Sequence, residues 1–226
     1  YLKLMEISDE MCKRLLHHEG LYYPLGLGPH GLVSEALLLH MNSPAIHGAL
    51  NMIYRYGITE DETSAQKVYP YLRGVADFWE KDLVCRDGVY HVVGDGMHER
   101  TDGNIRDNGV PEDPVNTLGY LKTFFTWMPR ISEALDLDEK KREKWLEIAE
   151  NLAPYPKGTI REIQENPTLW KEVDVKLEGL LPEEMLDKEI FYDEGIGGTW
   201  YFPFPGPVMQ IYPGHAIGLG SAPEEL

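Results

Sequence analysis

Over residues 2–18, Leu4, Ile7, Met11 and Leu15 recur at helical spacing with charges between them, which predicts an amphipathic helix that buries this stripe. Gly20 ends the pattern, and the Gly/Pro/Tyr-rich stretch 19–31 reads as loop. A second apolar stretch, Leu32 to Met41, predicts a short helix. Ser43 followed by Pro44 has the form of an N-cap with proline in the first turn, and Gly57 closes that helix. Thr59-x-x-Glu62 reads as a capping box that opens the next element at once. Pro70 should interrupt it. The expectation is therefore a short helix, then a longer one from Tyr71 to about Val84 burying Leu72, Val75, Ala76, Trp79 and Leu83.

Asp87-Gly88 marks a turn, and residues 89–93 (VYHVV) form the one convincing short strand. Residues 94–114 (GDGMHERTDGNIRDNGVPEDP) are a long polar loop without periodicity, and loops of that length in a packed domain are usually functional or disordered. Helix returns from Val115 to Leu135, with Leu118, Leu121, Phe124, Phe125 and Met128 apolar and a bend expected at Pro129. Asp138 is placed to cap a further helix over 139–152 that buries Trp145, Ile148 and Leu152. After Pro156 the regularity fails. Residues 161–195 carry a net charge of −7, with a short helix near Pro182–Leu186. A Gly-, Pro- and aromatic-rich tail follows, and on its own it reads as a loop packed by its own side chains. Successive helix pairs with a single strand give an all-α architecture, in which long loops at one end of each hairpin gather at one mouth.

Composition narrows the function classes. The chain has 226 residues and a formal net charge of −17, a length that fits one domain with a substantial core. The acidic balance argues against nucleic acid and polyanionic substrates. No apolar run approaches the ~20 residues of a membrane span. Cys12 and Cys85 are too few for a disulfide framework. The chain opens on Tyr1, which leaves room for a removed leader or an upstream region.

Read as one block, residues 47–99 resemble the six-hairpin glycosidases with an (α/α)6 barrel, most closely glycoside hydrolase family 95. The likeness runs through His47, Tyr54 and Tyr56, Thr59-Glu60-Asp61, Tyr69-Pro70, Ala76-Asp77-Phe78, Asp87-Gly88-Val89-Tyr90 and Glu99. DPVNTLGYLKTFF and KREKWLEIAENLAPYP are similar to the next hairpin of that family, and IYPGHAIGL to one of its later loops. The resemblance covers roughly residues 40–156 and 208–220. Residues 94–100 lack the Ser-Pro-Glu-Asn signature of the fucosidases and have some likeness to a loop of the family 65 phosphorylases, so the sugar stays open. A whole barrel needs ~12 helices and at least ~300 residues. This chain is thus expected to be a single catalytic-domain segment over 1–226, loop-rich over 157–226, completed by other segments of the same polypeptide. Family resemblance also implies a secreted or periplasmic location and no cofactor.

Glycoside hydrolysis needs a carboxylic acid on the leaving oxygen and a second carboxylate across the sugar. The resemblance gives Glu99 the acid role, with Glu112 as the fallback catalytic residue; Asp113 is expected to cap the helix at Val115 instead. Family 95 places its base beyond Leu226. No second carboxylate of this chain is therefore expected opposite Glu99, and the segment alone should be inactive with apolar helix faces uncovered. His47 and Asn51, at i and i+4, share a helix face that would look into a sugar pocket or, equally, into core. His98 and Asn104 could bond sugar hydroxyls. Trp200, Tyr201 and His215 could wall a subsite, since sugar C–H faces stack on aromatics. His17-His18-Glu19 lacks metal-ligand spacing, so no metal is expected. The leading expectation is a glycosidase, inverting, on a neutral oligosaccharide or glycan. The alternatives are a non-catalytic carbohydrate-binding helical domain, a phosphorylase and a polysaccharide lyase.

Overall fold

The computed structural model describes residues 1–24, 26, 28, 41–95, 112–165, 181–191 and 208–221. Among these the protein is mostly helical, with two small two-stranded sheets. A 3-10 turn, Leu2–Leu4, leads into α1, Met5–Leu15. Then come α2, Pro44–Thr59, and α3, Glu62–Asp82. The hairpin β1, Val84–Arg86, and β2, Val89–His91, follows. The second half holds α4, Val115–Ala134, and α5, Arg142–Glu150, which is entered through a 3-10 turn at Glu139–Lys141. Next are β3, Lys157–Thr159, α6, Ile160–Glu165, α7, Glu183–Leu186, and β4, Glu189–Phe191, with β3 and β4 paired antiparallel.

The helices form two antiparallel hairpins. Asn42, just before α2, donates from Nδ2 to Asp82 at the end of α3 (3.2 Å), so these two ends lie together. Along the other pair, Lys122 Nζ donates to Ala149 O (2.7 Å), and Arg142 Nε to Ser132 Oγ (2.9 Å). α2 packs on both α3 and α4, and α4 on α5. Fourteen residues of α4 are buried, Thr117, Leu118, Leu121, Phe124, Phe125 and Met128 among them. A helix buried on nearly every side is the centre of the assembly.

Several boundaries differ from expectation. α3 runs straight through Pro70. Its neighbours Tyr69, Tyr71 and Leu72 are all buried, and their packing outweighs the ~3 kcal/mol a mid-helix proline costs. α2 continues past Gly57 to Thr59 and ends on Glu60 in the left-handed region. Asp61, not Thr59, caps α3, its carboxylate accepting from Ser64 N (3.0 Å), while the Thr59 hydroxyl donates back to Arg55 O. Asp138 makes no cap bond; its carboxylate takes the Tyr69 hydroxyl (2.9 Å) and Arg73 Nε (3.1 Å), tying α3 to the α4–α5 turn. α1 buries Ser8 and Cys12 and leaves Ile7 and Leu15 exposed. The small Ser8 allows a close approach and donates to Tyr22 O (2.8 Å), a polar anchor that an apolar-stripe reading misses. The expected helix at Leu32–Met41 lies outside the described residues.

The tail is not merely packed on itself. Residues 208–221 lie on α2 and α4, where Tyr54 Oη donates to Pro213 O and Gly214 O and Thr123 Oγ1 donates to Gly214 O. Gly119 makes this approach possible, because a Cβ there would stand 2.7 Å from Gln210 Cα. Gly119→Ala should therefore displace the tail from α4 and destabilise the fold by about 1–3 kcal/mol. Chemical denaturation would check this, and an unchanged midpoint would mean that the tail docks elsewhere.

Candidate functional site

Because both hairpins are antiparallel and adjacent, α2 and α4 start at the same end, and a cavity of about 440 Å3 opens there. Ser43, Pro44 and His47 line it from α2, Asn116 and Tyr120 from α4, and Met209 from the tail. Tyr1, Leu4, Pro24, Gly28 and Met41 complete the described lining, and none of the lining side chains is formally charged. The His47 ring stacks on Tyr120 with centroids 5.6 Å apart. Apolar walls disfavour the imidazolium and pull the His47 pKa below its ordinary value. Burial pushes the Tyr120 phenol well above its usual range, so it stays a neutral donor, and Asn116 reaches its hydroxyl. Met209 Sδ lies 4.0 Å from that hydroxyl. The set offers an aromatic face, an amide and two neutral donor–acceptor groups.

Beneath the cavity lies a residue the sequence reading passed over. Asp95, flanked by Gly94 and Gly96, is fully buried. Its carboxylate accepts from Asn42 N (2.5 Å), from Ser43 N and from Thr117 Oγ1 (2.6 Å), so one side chain joins the first turns of α2 and α4. Burial raises its pKa to about 7; the three donors oppose the shift and the nearby Asp82 charge adds to it. Asp82, also pushed upward by burial, has His18 Nε2 at 3.6 Å. A carboxyl whose pKa rises on folding stabilises the fold below the unfolded value of ~3.9, and that contribution is lost as pH climbs through about 7. Asp95→Asn cannot ionise. Between pH 4 and 8 the melting temperature of the variant should accordingly gain on that of the wild type, and a constant gap would contradict it.

Among the residues expected to act, Glu99, His98, Asn104, Trp200 and Tyr201 lie outside the described residues. His47 lines the cavity as expected. Asn51 is exposed and does not belong to that lining. Glu112 accepts from Arg86 Nη2 (2.9 Å) and pairs with Val93 through an isolated bridge, and it does not belong to the described cavity lining. Asp113 does not cap α4, whose N-cap is Pro114. At φ 53° it turns its carboxylate to His91 Nδ1 (2.8 Å) and Val92 N (2.9 Å). The described residues that flank Glu99 in sequence are thus anchored, Asp95 on one side and Glu112 and Asp113 on the other. His215 stacks on Tyr54, centroids 4.5 Å apart, on the exposed side of the tail.

Asn116 and Tyr120 were legible in principle, since i and i+4 on a helix share a face, but the apolar stripe on the rest of α4 drew the reading. No group of three His, Cys, Asp or Glu among the described residues is placed to hold a metal ion. Compared with known proteins, the chain matches no family model and no curated sequence, so its function has to be argued from its own residues.

Proposed function

We propose that this chain is a segment of a helical-hairpin glycoside hydrolase of the (α/α)6 type. The cavity at the start of α2 and α4 would bind a neutral sugar, and Glu99 would be the general acid. The observation that carries the reading is the chemistry of the cavity: uncharged polar side chains and aromatic faces beside the first turns of α2 and α4 that Asp95, four residues before Glu99, ties together. A neutral sugar needs donors, acceptors and a stacking surface, and an uncharged wall gives no grip on a phosphate or uronate. The parallel, adjacent α2 and α4, each followed by an outer partner, are consistent with inner helices of such a barrel. A non-catalytic carbohydrate-binding domain is the second reading. It is favoured by the absence of any carboxylate from the described lining.

Calorimetric titration with L-fucose and D-galactose tests the shared part of both readings. His47→Ala, which removes the stacked ring and one donor–acceptor, should weaken binding about tenfold, equal to 1.4 kcal/mol. Equal affinity of variant and wild type would move the sugar away from this cavity. Turnover of aryl glycosides then separates enzyme from binding domain.

A further inference from the structure

We propose that a second cavity, on the other face of α4, binds a small organic monocarboxylate with an apolar body, its carboxylate held by Lys122 and Lys157. This site goes beyond the sugar reading and does not depend on it. Its volume is about 340 Å3, within the range of small-molecule pockets. Leu118 and Lys122 line it from α4, Lys157 from β3 and Ala216 from the tail, and residues 152–155 close it. The helical turn separates the two cavities. Leu118 and Lys122 are each rotated about 200° from Asn116 and Tyr120, two residues before them. Gly119 lies between these faces, against Gln210 of the tail. The tail therefore runs between the cavities, with Met209 in one wall and Ala216 in the other.

The two lysines are the only formally charged side chains in the described lining, although the chain as a whole carries a net charge of −17. Two cations without a carboxylate in the described wall give a local field opposite to the overall one, which selects an anion. Lys122 Nζ gives one of its three N–H groups to Ala149 O (2.7 Å), which fixes it beside the end of α5 and leaves two donors for a ligand. Lys157 Nζ stands 3.6 Å from the Glu189 carboxylate and 4.8 Å from the Phe191 ring centroid. Glu189 is largely exposed, so that pair is weak and a ligand carboxylate can replace it. The wall is preformed. Tyr90 N donates to Asn151 O (2.8 Å) and Ala153 N to Tyr90 O (2.9 Å), which pins residues 151–153 to β2. Leu118, Leu152, Ala153, Pro154 and Ala216 have no polar side-chain atom, so the body of the ligand meets hydrocarbon. The hydroxyls of a uronate would lose their water partners against that surface. The ligand class is therefore an aryl or alkyl carboxylate.

The test is NMR titration of this chain at neutral pH with phenylacetate, against phenylacetamide, glucuronate and inorganic phosphate. A ligand this small should bind with a Kd of about 1 mM. It should shift Leu118, Leu152, Ala153 and Ala216 together and leave His47 and Tyr120 unmoved. Phenylacetamide keeps the shape and loses the charge, so it should bind at least about tenfold more weakly. Lys122→Gln retains a donor for Ala149 O and should weaken phenylacetate about fivefold or more, while phenylacetamide binds as it does to the wild type. Lys157→Gln leaves the Ala149 contact untouched, should act in the same direction, and judges the proposal if Lys122→Gln does not fold. A loss in either folded variant supports the site. Unchanged phenylacetate affinity in both, equal affinity for phenylacetamide or glucuronate, or no shift with phenylacetate would overturn it. Phosphate bound as tightly as phenylacetate would reduce the site to an anion patch and overturn it as well. If L-fucose and D-galactose fail to bind, the carbohydrate reading falls and this titration still decides the second cavity.

Discussion

Glu99→Gln should lower the hydrolysis of a neutral glycoside with a poor leaving group by about 10²–10⁴ while leaving the fold intact. Glutamine keeps the shape of the side chain and removes its proton, so only the transfer to the leaving oxygen is lost. The expectation follows from position as well as chemistry. Glu99 stands four residues beyond Asp95, and the described residues on either side of it in sequence are fixed by the Asp95 clamp, the Glu112–Arg86 pair and the Asp113–His91 contact. The measurement compares variant and wild type on the same substrate. Rescue of the variant by a dinitrophenyl leaving group would identify the acid step. Wild-type rates on the poor leaving group would remove Glu99 from the chemistry.

The largest stability effect should come from Trp145→Ala, about 3–5 kcal/mol. Trp145 of α5 is fully buried, donates from Nε1 to Glu80 Oε1 (2.8 Å) and lies under the Arg73 guanidinium. The same Glu80 accepts from Lys141 Nζ at 2.7 Å. Truncation would therefore open a void between α3 and α5 and leave one oxygen of a half-buried carboxylate without its donor. A fall in the melting temperature of about 10 °C is expected for a chain of this size. A loss under about 1 kcal/mol would mean that the contact between the two hairpins lies outside the cooperative core.

The sequence read most clearly where burial is periodic. α2, α4 and α5 were legible because Pro44, the Leu118–Met128 stripe and Trp145–Ile148 each announce a helix with a single packed register. It misled where a tertiary contact competes with a local signal. Pro70 is a breaker by propensity, yet Tyr69, Tyr71 and Leu72 hold the helix around it. Asp138 and Asp113 have the residue type and spacing of caps, but each found a stronger partner far along the chain, Arg73 in one case and His91 in the other. The expectation of a single strand failed because β1, β3 and β4 are three residues long, too short for alternation to show. In the candidate site, His47 was visible from its helix face. Asp95 was not, because a carboxylate between two glycines in a polar stretch looks solvated, and its burial comes entirely from two helix ends brought together by the fold.

The central claim is that the cavity between the first turns of α2 and α4 receives a neutral sugar. Backbone and side-chain NMR during titration with L-fucose and D-galactose tests it most directly. Binding as described shifts the signals of Ser43, His47, Asn116, Tyr120 and Met209 together with one saturation curve. The opposing cavity on the other face of α4, lined by Leu118, Lys122, Tyr155 and Lys157, should stay silent. Shifts confined to that second cavity, or no shift at any residue at tens of millimolar sugar, would contradict the account.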